Sequence, residues 1–326
     1  MKGLWEVFCR LFSYYWFQNL ARNVIGLDIM TRSFKGVLAM LLACFIWGFS
    51  PFYYSFLTHL SPEEILSHRT LWSVVTFVFF IGITGRHYET FRTLKSPKIL
   101  SLILLAGVMI GINWYVFIFS VGAGRVTESS LGYYIFPLVM VLLGLVVFRE
   151  TLSRLQWLSV LLAVSAVLVL TFGFGSPPWL ALIISITFGV YGLLKRIIQV
   201  DSVVSVTLEV LLLLPAAIVY LLWLGHLPDA ATLGLLMFSG IITAGPLMLM
   251  TYATQTVRLA TVGLIQYLNP ILQFFCAVVL LGEVLTGWHM IAIALIWVAL
   301  VFYTWAVFSA DRNKASISSV SSATSK

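Results

Sequence analysis

The sequence predicts an all-α membrane protein: ten transmembrane helices arranged as two inverted five-helix repeats, both termini cytoplasmic. Three observations predict it: a composition too apolar for water, Lys and Arg sorted to alternate loops, and a repeat at constant spacing. Of the 326 residues, 61% are hydrophobic and 10% charged, and the mean hydropathy is +1.03. Soluble domains are roughly 45–50% apolar and about 25% charged, so this chain lacks the polar surface to cover itself. A crossing takes about 20 mostly apolar residues, which leaves no room for a separate soluble domain.

Apolar runs place helices near 37–57, 65–85, 99–119, 129–148, 155–172, 179–195, 203–224, 233–254, 260–281 and 288–308. Residues 155–194 carry no charge and exceed one span, and Gly173, Gly175, Pro177 and Pro178 supply the break between two helices. Pro62, Pro97 and Pro228 fall at other turns between runs.

With the N-terminus inside, the basic residues sort by side. Lys2, Arg10, Arg22, Arg32 and Lys35 precede helix one, and Arg86, Arg92, Lys95 and Lys98 surround the next inside loop. Arg149, Arg154, Lys195, Arg196 and Arg258 fall in later inside loops, and Arg312, Lys314 and Lys326 in the tail, so 17 of the 19 are inside. Arg125 falls outside and Arg69 within a helix. The net charge of +7 is therefore a topology signal obeying the positive-inside rule, and no nucleic-acid partner is expected. A multi-pass protein of the plasma (inner) membrane follows, with the lipid bilayer as its surroundings.

A shift of 133 positions superimposes Arg125 on Arg258, Leu131 on Leu264, Tyr134 on Tyr267, Pro137 on Pro270, Glu150 on Glu283 and Leu152 on Leu285. Phe45 to Gly48 also resembles Ile186 to Gly189. Five helices per half is an odd number, so the second copy enters the membrane in the opposite sense, as in many secondary transporters. The expected organisation is an N-terminal extension at 1–33, repeats at 34–173 and 176–310, and a Ser-rich disordered tail at 311–326.

Several classes are excluded. Cys9, Cys44 and Cys276 are far apart and suggest no disulfide framework. The five histidines lack i, i+3 or i+4 pairing, so no metal site is expected. There is no Gly-Lys dipeptide and so no Walker A loop, and no G-x-S-x-G or H-E-x-x-H. No cofactor and no catalytic residue is expected; the chain is not read as an enzyme.

Charges at bilayer depth cost roughly 2.5–3.5 kcal/mol on insertion scales and are functional candidates by default. Arg69, beside His68 in helix two, and Glu209, early in helix seven, occupy comparable places in the two halves. They are candidates for proton or substrate coupling, or for an ion pair pinning the two helices. Trp47, Asn113, Trp114, Tyr115, Tyr134, Tyr191, Gln266, Tyr267, Asn269 and Gln273 place amides and aromatics within apolar spans. They are candidates to line a substrate cavity, interhelical hydrogen bonding and interfacial anchoring being the plainer alternatives. Pro137 and Pro270 would break the backbone ladders of helices four and nine. Gly107 and Gly111 have the spacing of close helix packing, and Glu150 and Glu283 that of capping or loop residues.

FIWGFSPFYY (45–54), SHRTLW (67–72), GINWYVF (111–117), SSLGYYIFPLV (129–139), VYGLLKR (190–196), LEVLLLLPAA (208–217) and IQYLNPILQF (265–274) together resemble the drug/metabolite transporter superfamily. Within it the chain is most similar to EamA-type, RarD-like permeases, a subfamily named for chloramphenicol sensitivity, from about Met30 to Ala310. The resemblance implies two inverted five-helix repeats, a central cavity and export of drugs or metabolites at the plasma membrane. One departure is Phe136 before Pro137, where the family commonly has Asn; the second half keeps Asn269 before Pro270.

The reading is thus a secondary permease or exporter of small organic molecules working by alternating access. The alternatives are a flippase for a lipid-linked intermediate and a non-transporting scaffold. Substrate identity, direction, proton coupling and a homodimeric state are left open. Residues 1–29 carry bulky aromatics without a span-length apolar run and read either as an interfacial amphipathic helix or, the favoured reading, as an upstream extension of a natural start at Met30, where MTRSFKG is a short basic lead into helix one. A chain started at Met30 should insert and accumulate in the membrane fraction as the full chain does; failure to insert would assign residues 1–29 a required role.

Overall fold

The structure, a computed structural model, describes residues 32–149, 152–175, 177–257, 262 and 265–324, with side chains placed as far as Ala306. Most of the expected 1–33 extension, and Glu150, Arg258 and Leu264 of the repeat, lie outside the described residues.

The elements are α1 (Arg32–Gly48), α2 (Ser50–Ser55), α3 (Pro62–Thr84), α4 (His87–Leu94), α5 (Pro97–Gly122), α6 (Val126–Phe148), α7 (Arg154–Phe174), α8 (Trp179–Ile197), α9 (Ser202–Leu224), α10 (Ala230–Thr256), α11 (Leu268–Phe275) and α12 (Gly287–Thr324). A π-helical turn, Cys276–Leu280, continues α11. Among the described residues nine helices are long and apolar enough to cross a membrane, α1 and α2 together making the first. They fall on nine of the ten expected runs; on the tenth, 260–281, stands a shorter apolar helix, Leu268–Leu280. The short helix α4 in the loop after α3 has no counterpart in the sequence reading. The last helix carries on to Thr324, through the Ser-rich stretch whose composition implies disorder.

The boundaries follow from local chemistry. Ser61 caps α3 by accepting from the Glu64 amide, with Pro62 at the first helical position. Ser153 and Gln156 form a reciprocal capping box at α7. Asp201 and Asp229 accept the first amides of α9 and α10. The Thr232 hydroxyl and amide hold the Asp229 carboxyl below the usual carboxylate range. That cap is therefore intact above the ordinary carboxylate pKa and is lost as pH falls through the lowered value. Gly175, with φ of 67°, closes α7 in the left-handed region just before Pro177 and Pro178, where the sequence reading places the break.

The chain forms two compact units, Met1–Ser130 with Leu194–Glu283, and Leu131–Leu193 with Val284–Lys326. In the first, α3 packs on α9 and α10, α1 on α10 and α11, and α5 on α9. Met40, Cys44, Ala253 and Val262 make a fully apolar knot between α1 and the chain around α10 and α11. In the second unit α7 packs along α12, with Leu138, Ala163 and Ala299 in one cluster. Phe188 meets Tyr133 and Phe136 edge-on and stacks on Tyr191. Large apolar side chains point outward from many helices, including Phe79 at 64% and Leu222 at 76% exposure. On a chain this apolar such faces are lipid contacts.

Gly240 on α10 marks the closest approach to α3: a Cβ there would lie 2.4 Å from the Trp72 carbonyl oxygen. Gly240→Ala should therefore force the two backbones apart and lower stability in detergent by about 1–3 kcal/mol. Gly234→Ala on the same helix, with nothing within 4 Å, should leave the melting temperature unchanged or raised; equal effects at both positions would refute the close contact.

Candidate functional site

The polar interior of the first unit is organised by α3. Arg69 lies seven residues into that helix, roughly 10 Å along its axis at about 1.5 Å per residue, and is 6% exposed. Its Nε donates to Thr243 Oγ1 on α10 at 3.0 Å, and that hydroxyl donates to the Ser239 carbonyl at 2.8 Å. The guanidinium carbon stands 4.1 Å from the centre of the Trp114 ring on α5 and 5.6 Å from that of Tyr54 on α2. Cation–π contacts reach about 2 kcal/mol or more when desolvated, so two aromatic faces and one hydroxyl fix this cation. Four elements, α2, α3, α5 and α10, converge on it.

Glu209 on α9 is 1% exposed and is held elsewhere. Lys195 Nζ, in the last turn of α8, lies 2.8 Å from Glu209 Oε1 and 2.6 Å from Ser205 Oγ, which itself donates to Glu209 Oε1 at 2.9 Å. The ion pair between Arg69 and Glu209 that the sequence leaves open is therefore not formed. The reason is reach: Lys195, sorted by charge to an inside loop, ends a helix beside Ser205 and folds back onto the carboxylate. Gly107 and Gly111 do serve packing, the first facing the Glu209 backbone and the second Leu213.

Tyr115 donates to Glu63 Oε1 at 2.7 Å, next to a contact of Ser61 with Tyr220 at 3.2 Å. Both lie at the Pro62 end of α3, while at its Thr84 end Arg86 pairs with Asp201. Asn113 is buried on α5 and His68 on α3, where the histidine Nδ1 has no partner. Gln273 donates to Asn269 at 3.2 Å across one turn of α11. Gln266 and Tyr267 are half-buried just before that helix, and Trp47 is half-buried on α1, its carbonyl accepting from Ser50. In the second unit Tyr134 is 2% exposed beside Trp297, and Tyr191 stacks on Phe188.

Pro137 lies inside an unbroken α6, so the expected break is instead a single missing amide donor within a continuous helix. Pro270 lies in the first turn of α11, where an amide has no intrahelical partner in any case. Glu283 accepts from the amides of Val126 and Thr127 and from the Thr127 hydroxyl, the last at 2.6 Å, and so caps α6 from 157 positions away. Sequence reasoning missed Tyr54, Thr243 and Ser205, ordinary residues with no distinguishing spacing. Lys195 could have been found by asking which cation a buried Glu209 requires.

A family profile described as the EamA-like transporter family matches residues 34–172 and again 176–305. Among curated proteins, Protein RarD of Salmonella typhimurium is 39% identical over 287 residues, spanning 86% of this chain and 98% of the relative. An uncharacterized transporter of Vibrio cholerae is 40% identical over 288 residues, spanning 86% and 94%. The chloramphenicol-sensitive protein RarD of Pseudomonas aeruginosa is 32% identical over 286 residues, spanning 85% and 95%. One solved crystal structure superimposes with a TM-score of 0.57 at 16% identity over 83% of this chain and 96% of that one, a likeness of fold.

Removing one partner of a buried ion pair costs about 3–5 kcal/mol, whereas replacing both by apolar residues is often neutral. Lys195→Met and Glu209→Leu should each lower folded yield and melting temperature, and the double variant should recover most of the loss. Additive losses in that double-mutant cycle would show the pair to be uncoupled.

Proposed function

Because the chain belongs to the EamA-like transporter family, whose profile spans it twice, we propose that it moves small organic molecules across the plasma membrane by alternating access, most simply as an exporter. The observation that carries this reading is the double family match on a chain of span-length apolar helices that nonetheless bury Arg69, Asn113 and Glu209. Buried charge and amide inside lipid-facing helices are the mark of a solute path. In this reading residues 260–281 are the ninth of ten crossings, the halves 34–173 and 176–310 are oppositely oriented, and both termini are cytoplasmic. Trp47, Asn113, Trp114, Tyr115, Tyr134, Tyr191, Gln266, Tyr267, Asn269 and Gln273 then supply weak contacts along the path, as release requires. The name of the Pseudomonas relative makes chloramphenicol one solute to include, although a drug-linked name need not describe a physiological substrate.

Uptake into proteoliposomes from a metabolite mixture containing chloramphenicol, with and without an imposed proton gradient, tests the reading. Transport should appear for a subset of solutes, and cysteines placed at Asn113, Tyr134 and Gln266 should react with water-borne thiol reagents. A scaffold would move nothing and leave those positions unreactive.

A further inference from the structure

The acids of the described chain are almost all accounted for. Glu209 pairs with Lys195, Asp201 with Arg86 and Glu128 with Arg125. Glu63 holds Tyr115, Glu89 accepts the Asp201 amide, and Asp229 and Glu283 cap helices. Glu64 is buried with its Oε1 unpartnered, but it precedes Arg69 by five residues, about 140° round the helix at 3.6 residues per turn, and the two form no ion pair among the described residues. Arg69 thus has no carboxylate at salt-bridge distance among the described residues. A guanidinium offers five N–H donors in a planar fork; Thr243 takes the one on Nε. The Trp114 and Tyr54 ring faces orient the cation, and the buried Tyr54 hydroxyl has no hydrogen-bond partner of its own.

Two more donors on the same face lack partners. Trp72 and Ser73 stand three and four residues after Arg69, hence beside it on the helix surface. Trp72 Nε1 and Ser73 Oγ are buried with no hydrogen-bond partner, and Ser73 has no exposed surface. A buried polar group without a partner costs roughly as much as a lost hydrogen bond, so such groups call for an explanation. Here a charged donor held by one hydroxyl stands beside two donors that have no partner, on one face of one helix.

We infer that Arg69, Trp72 and Ser73 form a subsite for the carboxylate of a small organic acid. A carboxylate is acceptor-only and planar, and it matches the arginine fork with both oxygens. The inference rests on the transport reading for the statement that this acid is carried. Binding of the carboxylate itself stands apart from it.

The test is equilibrium binding of radiolabelled acetate and benzoate to the full chain in nanodiscs. Saturable binding should be displaced by either unlabelled acid, and neither by benzamide, which keeps the shape without the charge, nor by inorganic phosphate. Ser73→Ala and Trp72→Phe should each weaken it about two- to tenfold. Arg69→Lys should weaken it tenfold or more, because an ammonium cannot reproduce the fork. Absence of saturable binding by either acid, equal displacement by benzamide, tighter binding of phosphate, or binding unchanged in Arg69→Lys and Ser73→Ala variants that melt like the natural chain would each overturn the inference. Carboxylate binding without uptake of any solute in proteoliposomes would leave the subsite standing and remove the transport reading. Uptake confined to cations and neutral solutes, unaltered by Arg69→Lys, would do the reverse.

Discussion

A hydrogen-bonding group carried into hydrocarbon has no water to return to, so its partner must come from the protein or from something the protein holds. The helices obey this constraint along their length by their own ladders, and the exceptions concentrate at helix ends and at a few side chains. Ser61, Ser153, Asp201 and Asp229 close the ends of α3, α7, α9 and α10 locally. Buried serines and threonines such as Thr70, Thr187 and Ser239 bond back to their own helices, and so need nothing from a neighbour.

The charged interior follows the same logic with larger energies. Lys195, Ser205 and Glu209 form a closed set in which every charge has an answer within 3 Å. Arg69 is fixed by Thr243, Trp114 and Tyr54, yet its charge is unanswered by any described carboxylate. The environments of these two cations in one unit thus differ in kind, one complete and one open. Comparable sequence positions in the two halves conceal that difference, because pairing depends on which helix end arrives nearby.

Much of the fold was legible because a bilayer reduces it to apolar length. Nine of the ten runs read from composition coincide with long helices, and the Gly175, Pro177, Pro178 punctuation falls at an observed boundary. The run at 260–281 was less legible: Pro270 stands in the first turn of a short helix that ends in a π-helical turn, and none of this changes hydropathy. Site residues were legible singly and not as sets. Trp114 and Arg69 were both conspicuous, but Tyr54 and Thr243, which complete their cluster, look like any tyrosine and threonine in a span. Likewise nothing in the spacing of Tyr115 and Glu63 announces the hydrogen bond between them. Periodicity reports which face is buried, and contacts between helices distant in sequence leave no trace in it.

The cap supplied by Glu283 to α6 carries a consequence for biosynthesis. Ribosomes deliver a chain from its N-terminus, so the leading amides of α6 emerge 157 residues before the carboxylate that receives them. The same lag separates Arg86 from Asp201 by 115 residues. Neither junction can close before its later residue has been made. Delivery of Glu283, rather than entry of each segment, is then the step before which the first unit cannot be finished.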